Sequence, residues 1–488
     1  MPRASRALAS GLLAFLPLAA PILAQVERVE DLRYPPLPKF EIPAPERLTL
    51  ANGLTVLLLA DSELPLARAT AYVATGTVDD PPGKVGLVAI GADLLRSGGA
   101  GARSAEELDD LLDTRATTIE AAALEDALTV RLDCLSADLP EMLGVFADVL
   151  RRPRFDQELL EVAKNSQAAE VARQNDSPQQ ILFRELGELV YGDASPYARQ
   201  PGFASLAAVT RADLVGWHAA TFHPNRIVLG FVGDFDRAAL LARLDQVFGD
   251  WPQGPSWDRH RVDTLPAPPP GLHRVAQDQV NQSFLAMGYL GIRRDDPDYY
   301  AVELMNQVLS GTFASRLFSN VRTKKGLAYS VRGEVGGEFS YPGLTRFWMS
   351  TKAATTAAGL DALRAEIEGM VTSPPGEEEV QKAKASILNS FIFNSDTRTK
   401  VLNQQLAFAY YGYPTDWLER YQAGIEAVTP EQVLAAAKKY LRPKDLVILV
   451  VGPTQGLDRP LESYGPVTER DVTIAPPPGA AGDGEGRR

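Results

Sequence analysis

The feature that most constrains the fold is a repeated order of sequence patterns on either side of a proline-rich stretch. This stretch runs from Pro252 to Gly271, and stretches of this kind act as semi-rigid spacers. Each flanking half has a strand pattern, a helix pattern, a meander of apolar segments and then two further helix patterns. The repeat predicts a tandem duplication of two similar α+β domains, each a mainly antiparallel sheet with helices on one face.

Individual elements can be placed from periodicity and capping residues. In the first half Asp138, followed three residues later by Glu141, predicts a capping box at a helix start, and a long helix is predicted from Asp156 to about Gln174. The remaining predicted elements are strands at 71–77 and 284–289, helices at 83–95 and 298–309, meanders at 118–135 and 330–351, and a long helix beginning at Glu377.

The ends of the chain differ in composition from its centre. Arg3 and Arg6 precede an apolar run and a plausible cleavage point after Ala24, the layout of a secretory signal peptide. An uncleaved membrane anchor is the alternative, but no later run of about 20 apolar residues predicts a transmembrane segment. We therefore expect a periplasmic or secreted protein of a Gram-negative bacterium. The predicted segments are a signal peptide (1–24), an extended lead-in (25–45), a first domain (46–252), a linker (253–271), a second domain (272–474) and a disordered tail (475–488).

Composition excludes several classes of function. The net charge of −13 argues against nucleic-acid binding, because phosphates would be repelled. Cys134 is the single cysteine, so neither a disulfide framework nor a cysteine metal site can form. His218 and His223 are five residues apart and do not share a helical face, while His260 and His273 lie in or beside the spacer. The histidines therefore predict no zinc site.

An ordered series of short motifs resembles the pitrilysin/insulinase (inverzincin) family of zinc metallopeptidases, and especially its processing-peptidase branch. The resemblance covers about Pro45 to Pro453 and implies tandem LuxS/processing-peptidase-like domains that dimerise into a clam-like chamber. The motifs are Asn52-Gly53-Leu54-Thr55-Val56, Gly83-Lys84-Val85-Gly86-Leu87, Asp176-Ser177-Pro178, Ser195-Pro196-Tyr197, Phe222-His223-Pro224-Asn225, Gly233-Asp234-Phe235, Ser315-Arg316-Leu317-Phe318 and Arg322-Thr323-Lys324-Lys325-Gly326-Leu327-Ala328-Tyr329.

The metal motif of that family is degenerate here. In the family, H-x-x-E-H places two zinc ligands and a general base on one helix, and a distal Glu completes the ligand set. The positions of the two His and the base correspond to Ala89, Asp93 and Ala92, and the distal ligand to Glu170. Methyl groups cannot ligate zinc, and two carboxylates suit calcium or magnesium poorly. We expect no catalytic residue, metal or other cofactor in this chain, with Asp93 a solvated helix residue and Glu170 a surface charge.

Arg322 and Tyr329 are the candidate substrate-binding residues. A helix ending near Lys325 and followed by Gly326 would lead directly into the strand that carries Tyr329. A guanidinium suits carbonyl and carboxylate oxygens, and a phenol can donate to an oxyanion. The resemblance implies that this pair holds peptide opposite the zinc of a partner. Purely structural roles at a helix end and in a strand are the alternative.

Together these features predict the non-catalytic subunit of an exported heterodimeric zinc peptidase, inactive alone. The implied partners are a homologous H-x-x-E-H subunit that carries the zinc, and a peptide substrate. A peptide-binding or structural scaffold without a proteolytic role is the alternative function. A zinc enzyme with an unrecognised site would have only Asp93 and Glu170 to build on. Whether a homodimer forms in the absence of a partner is left open.

Overall fold

A computed structural model describes residues 42–257 and 261–478. The predicted signal peptide, most of the lead-in and the last ten residues of the predicted tail lie outside the described residues. The chain from Ile42 onward falls in one compact unit. Within the described residues, no helix has the length and apolar character needed to cross a bilayer. Between Phe248 and Gly271 the described residues form no helix or strand, and the predicted domain boundaries stay predictions.

Each half contains one six-stranded sheet. The strands of the first sheet are β1 (Glu46–Thr49), β2 (Thr55–Ala60), β3 (Leu66–Val73), β4 (Thr118–Ala123), β5 (Leu128–Leu135) and β6 (Ile227–Gly233). Their order across the sheet is β1-β2-β6-β3-β5-β4. The β2–β6 pair is parallel, and the other neighbouring pairs are antiparallel.

The second sheet repeats this arrangement. Its half contains β7 (Gly271–Ala276), β8 (Gln282–Leu290), β9 (Ile292–Arg293), β10 (Ser330–Glu334), β11 (Gly337–Glu338), β12 (Leu344–Lys352), β13 (Val447–Gly452) and β14 (Val467–Glu469). The sheet order is β10-β12-β8-β13-β7-β14, while β9 and β11 form a separate parallel pair. Read backwards, this order matches five strands of the first sheet, with β7, β13, β8, β12 and β10 in the places of β2, β6, β3, β5 and β4. The edge strands differ, because β14 runs parallel to β7 whereas β1 runs antiparallel to β2. The predicted duplication of a mainly antiparallel α+β domain is confirmed.

Helices surround both sheets. The first half has α1 (Leu87–Ser97), α2 (Ala105–Thr114), α3 (Leu139–Arg151), α4 (Gln157–Arg173), α5 (Pro178–Tyr191), α6 (Phe203–Ala207), α7 (Arg211–Thr221) and α8 (Arg237–Phe248). The second half has α9 (Tyr299–Asn306), α10 (Thr356–Thr372), α11 (Glu377–Asn394), α12 (Arg398–Tyr411), α13 (Trp417–Ala427) and α14 (Pro430–Tyr440). Two π-helical segments, Gln307–Gly311 and Leu317–Lys324, follow α9. Short 3₁₀ turns lie at Thr77–Asp79, Pro82–Lys84, Ser136–Asp138, Pro224–Arg226, Ala353–Thr355 and Leu461–Tyr464.

The two predicted helix starts have different outcomes. The long helix begins as predicted, because the Asp156 carboxylate accepts hydrogen bonds from the N–H groups of Glu158 at 2.9 Å and Leu159 at 3.2 Å. The predicted capping box of α3 is wrong, since Asp138 makes no capping hydrogen bond. A 3₁₀ turn leads into α3, so Asp138 already has helical dihedral angles instead of the extended ones that an N-cap needs. Its carboxylate and that of Glu141 instead contact the Arg115 guanidinium, each at 2.8 Å.

The two halves exchange one helix each, and we call α5 and α12 the exchanged helices. Helix α12 of the second half packs on β2 and β6, and α5 of the first half packs on β8 and β13. Both helices have 14 residues, and the ninth residue of each, Leu186 or Leu406, is fully buried. A Cβ atom at Gly230 would lie 2.6 Å from Leu406 Cδ1, so the missing side chain lets α12 approach the first sheet closely. Each sheet therefore has a face covered by the other half.

Candidate functional site

Helix α1, at the position of the family's metal motif, is fully formed. It begins after Gly86, which has a left-handed φ of 102°. The Asp80 carboxylate accepts hydrogen bonds from the N–H groups of Gly86 and Val88, both at 2.8 Å. These two bonds satisfy donors at the helix start that would otherwise lack partners. Burial nevertheless raises the pKa of Asp80, against the effect of the two N–H groups. The backbone of the motif is therefore present even though its ligands are not.

The three residues at the positions of the metal motif differ in their exposure to solvent. Ala92 is buried, Ala89 is half-buried and Asp93 is exposed. The Asp93 carboxylate lies 3.5 Å from Gln167 Nε2 on α4, and partial removal from water raises its pKa while this hydrogen bond lowers it. Glu170, also on α4, is exposed. Asp93 thus has an amide partner on α4, the helix that also carries Glu170.

These residues do not fit a zinc ion. Structural and catalytic zinc sites take at least three protein ligands with nitrogen, sulfur or oxygen donors. Two of the motif positions are methyl groups, and Asp93 and Glu170 alone leave the set incomplete. Across residues 42–257 and 261–478, no group of three or more His, Cys, Asp and Glu residues is placed to hold a metal ion. No hydrolytic step can be assigned to side chains at these positions.

His218 and Cys134 both lie in structural positions. His218 is half-buried on α7 with Nε2 2.9 Å from the Leu150 carbonyl oxygen, and partial removal from water lowers its pKa to about 4. It is therefore neutral at pH 7 and occupied by a structural contact. Cys134 is buried at the end of β5, where burial raises the pKa of its thiol to about 12, so it is not a nucleophile at neutral pH. His260 lies outside the described residues.

Arg322 lies on a π-helical segment that is anchored to two helices. The Arg316 guanidinium donates two hydrogen bonds to the Glu379 carboxylate of α11, both of 2.7 Å. Asn320 Nδ2 donates to Glu366 Oε2 of α10 at 2.9 Å. As the sequence predicted, Gly326 follows the end of this helix, with φ of 63° and its N–H donating to the Arg322 carbonyl at 3.1 Å. The segment is therefore a fixed platform for the side chains on its outer face.

The outer face of this platform carries two aromatic rings that the sequence analysis missed. The Arg322 guanidinium carbon lies 4.5 Å from the centroid of the Phe318 ring, a cation–π contact. Phe313 packs edge-on against Phe318 with 4.8 Å between ring centroids, although 76% of Phe313 is exposed. Phe318 precedes Arg322 by four residues. That spacing is the signal that would have predicted their contact, because such residues lie on one side of a helix.

Tyr329 lies directly before β10 and is 85% exposed. Its backbone N–H donates to the Ser350 carbonyl of β12 at 3.3 Å, which fixes the start of the strand. The structure places Arg322 and Tyr329 at the two ends of one short connection. Among the described residues, no hydrogen bond or ring contact links the two side chains. Their role in holding peptide stays a prediction.

Two family models match this chain, one mainly in each half. A model described as Insulinase (Peptidase family M16) matches residues 55–196, which include α1 and Glu170. A model described as Peptidase M16 inactive domain matches residues 208–387, which include Arg322 and Tyr329. Together the two matches span most of the described chain.

Several proteins match this chain over most of their own length. An uncharacterized zinc protease of Mycobacterium tuberculosis is 26% identical over 414 residues, covering 82% of this chain and 91% of that protein. The non-peptidase homolog YmxG of Helicobacter pylori is 23% identical over 384 residues, covering 78% of this chain and 87% of that protein. The crystal structure of a peptidase M16 inactive domain from Pseudomonas fluorescens has a TM-score of 0.77 at 28% identity and covers 86% of this chain and 100% of its own. The chain therefore belongs to peptidase family M16, the insulinase family.

Proposed function

We propose that this chain is the non-catalytic subunit of a two-chain M16 peptidase and that Arg322 and Tyr329 bind the peptide substrate. The partner would be a homologous chain with an intact H-x-x-E-H motif and one zinc ion. One observation carries the proposal. Hydrogen bonds to α10 and α11 hold the segment around Arg322 in place, while the Arg322 guanidinium and the Tyr329 phenol face outward. Among the described residues, no carboxylate pairs with Arg322 and no hydrogen bond occupies the Tyr329 hydroxyl.

The two side chains suit peptide binding chemically. A guanidinium presents several donors in one plane and can bind a carbonyl or carboxylate oxygen at two points. A phenolic O–H can donate to an oxygen on which negative charge develops. The Arg322 guanidinium already packs on Phe318, so less side-chain entropy is lost when peptide binds. In this proposal the chain binds and orients substrate, while proton transfer and hydrolysis belong to the partner.

The comparisons support a catalytically inactive chain in two ways. The model matched by residues 208–387 is described as an inactive domain, and one relative is named a non-peptidase homolog. Other relatives are named zinc proteases, so the names alone do not decide the activity of this chain. The alanines at positions 89 and 92 carry the argument for this sequence.

Reconstitution with a partner tests the proposal. The purified chain, supplied with zinc, is incubated with a peptide library alone and together with an H-x-x-E-H homologue from the same organism. We expect no cleavage by the chain alone, and cleavage by the mixture that exceeds the activity of the homologue alone. Cleavage by the isolated chain would show that the chain is itself catalytic. A mixture no more active than the homologue alone would favour the alternative function of a scaffold.

Substitution of the candidate pair tests the assigned residues. Arg322→Ala combined with Tyr329→Phe should lower turnover of the mixture by about 100-fold, the size of effect seen when a transition-state donor is removed. Complex formation, measured by size-exclusion chromatography, should not change. Arg420→Ala, which removes an exposed arginine on α13, is the matched control and should leave turnover unchanged. Equal turnover in the double variant and the control would remove Arg322 and Tyr329 from the site.

We also propose that the protein is exported, on the strength of the charged, apolar and small-residue order at its N-terminus. Cell fractionation of a C-terminally tagged chain should recover a shortened protein outside the cytoplasm. Replacing Leu12 and Leu13 by Asp within the apolar run should retain the full-length protein in the cytoplasm. A full-length wild-type chain in the cytoplasm would contradict the proposal.

A further inference from the structure

A groove of about 450 Å³ lies between α3 and α8 in the first half, apart from the positions discussed above. We call it the arginine groove, because four arginines line it together with two aspartates. These residues are Arg103, Arg151, Arg152, Arg243, Asp148 and Asp250. Such a concentration of guanidinium groups is unexpected in a chain with a net charge of −13. The charges within the groove show what it could bind.

The two aspartates do not neutralise the four arginines. Asp148 is shared, because its carboxylate lies 3.1 Å from Arg152 Nε and 3.8 Å from Arg103 Nη1. Asp250 pairs with Arg151 at 2.8 Å. Among the described residues no carboxylate pairs with Arg243, which donates to the Pro140 carbonyl at 2.8 Å and to Gln246 Oε1 at 3.2 Å. Arg243 is therefore held only by neutral oxygen atoms.

A third acidic side chain on the rim reduces the positive charge of the groove. Glu141 lines the groove, and its carboxylate lies 2.8 Å from Arg115 Nη2, which is not a lining residue. Arg115 also pairs with Asp138 at 2.8 Å, so these three residues together carry one negative charge. The groove with its rim therefore keeps an excess of one positive charge.

The local structure holds the guanidinium groups in place. Gly144 lies inside α3, where glycine is unfavourable because of the backbone entropy lost in a helix. A Cβ atom at this position would lie 2.7 Å from Arg243 Nη2, so the glycine makes room for Arg243 across the helix. The Arg151 guanidinium lies 5.5 Å from the centroid of the Trp251 ring. Both arginines are thus positioned before any ligand arrives.

We propose that the arginine groove binds an anion of the phosphate type, a phosphate or diphosphate group with two or more negative charges. The planar guanidinium matches two phosphate oxygens at once, which is why arginine is common in phosphate sites. A phosphate group offers three or more oxygen atoms to several guanidinium groups at once, which a single carboxylate does not. The phosphate could belong to a soluble compound or to the headgroup of an anionic lipid. The inference does not rest on the proposed function, because it uses neither Arg322 nor Tyr329.

Binding measurements with the full chain test the inference. Sodium pyrophosphate is titrated into the protein by calorimetry in 150 mM NaCl, a concentration that screens weak surface contacts. In a second arm the protein is sedimented with vesicles of phosphatidylcholine, with and without phosphatidylglycerol. Binding of pyrophosphate assigns a soluble ligand. Binding only to vesicles with phosphatidylglycerol assigns a lipid headgroup. Either result supports the inference, provided that the groove variants weaken it.

Two variants and one control localise the binding. Arg243→Gln removes the unpaired cation, and Gly144→Ala pushes it aside while improving helix propensity, so its melting temperature should not fall. Each should weaken binding about tenfold, the usual effect of losing a charge-assisted hydrogen bond. Arg420→Gln is the control, because Arg420 is an exposed arginine on α13, and it should leave binding unchanged. No binding in either arm, equal binding by the variants and wild type, or binding of polyglutamate but not pyrophosphate would overturn the inference.

Discussion

The methyl groups of Ala89 and Ala92 take the places of a metal ligand and a general base on α1. The rest of the motif's framework is present, since α1 packs on α4 and Asp93 contacts Gln167 across the two helices. A missing donor set, and not a missing helix, thus separates this chain from a zinc enzyme. That distinction can be tested by restoring the donors.

Ala89→His with Asp93→His should create zinc binding that the wild-type chain lacks. Histidines four residues apart share one helical face, and Glu170 would supply the third donor. We expect about one zinc ion per chain by elemental analysis after dialysis, and a loss of zinc when Glu170→Gln is added. Stoichiometric zinc in the wild-type protein would contradict our account of the site.

Glu188 on α5 carries the clearest pH-dependent charge. Its carboxylate lies 2.9 Å from Arg470 Nη2, but Arg470 also contacts Glu185 at 2.8 Å. Burial and the nearby Glu185 raise the pKa of Glu188 to about 7, although Arg470 lowers it. The folded state therefore favours the protonated form. This contribution to stability is complete below the ordinary pKa of 4.5 and is lost as pH rises through 7.

Glu188→Gln should remove that loss. Between pH 5 and pH 8 the free energy of unfolding of the wild type should fall by about 2 kcal/mol more than that of the variant. Urea unfolding followed by circular dichroism at both pH values measures the difference. Glu378→Gln, in an exposed ion pair of α11, is the control and should follow the wild type. Parallel pH profiles for Glu188→Gln and the wild type would show that Glu188 ionises normally.

At the scale of elements, the exchanged helices α5 and α12 are the feature that stabilises both sheets. Leu186 packs within an apolar cluster that includes Val447 and Leu449 of β13, and Leu406 within one that includes Leu57 and Val232 of the first sheet. Each helix thereby buries the apolar face of a sheet from the other half. Burial of this kind is the main favourable contribution to folding.

Leu406→Ala and Leu186→Ala should each lower the free energy of unfolding by about 3 kcal/mol, because both truncate fully buried side chains. Both halves should melt together in each variant, since one helix belongs to each half. Leu64→Ala is the control, as Leu64 is 62% exposed, and should cost under about 0.5 kcal/mol. A variant in which one half unfolds separately would argue against this coupling.

The exchanged helices also show what the sequence could and could not predict. The order of elements and the start of α4 at Asp156 follow from periodicity and side-chain capping, which are local. The Gly326 turn and the positions of Arg322 and Tyr329 were predictable for the same reason. The sheet on which α5 packs depends on contacts with residues far along the chain, so periodicity gives no signal for it. The π-helical turns around Phe318 escaped prediction because their apolar spacing resembles that of an α-helix.

For the whole molecule, hydrogen bonds join the two halves as well as the helices. Asp126, between β4 and β5, is buried and accepts a hydrogen bond of 2.6 Å from the Tyr411 hydroxyl of α12. It also accepts one from Ser340 of the second half. Buried carboxylates are costly unless they have such partners. The halves therefore depend on each other for polar as well as apolar burial.

Separate expression of the two halves tests this dependence. Residues 42–257 alone would lack α12, and residues 258–488 alone would lack α5. We expect each fragment to bind the dye ANS and to show weak near-UV circular dichroism, because one sheet face is uncovered. Mixing the fragments during refolding should restore a soluble 1:1 complex by size-exclusion chromatography. Cooperative unfolding of either fragment alone would show that the halves are independent.

The exchange of helices also determines where the molecule can move. A hinge between the halves would pull α5 and α12 from their sheets at the same moment and expose two apolar surfaces to water. That cost keeps the two halves of the chain together as one unit. If this protein encloses peptides together with a second chain, peptides must enter and leave where the two chains separate at their interface.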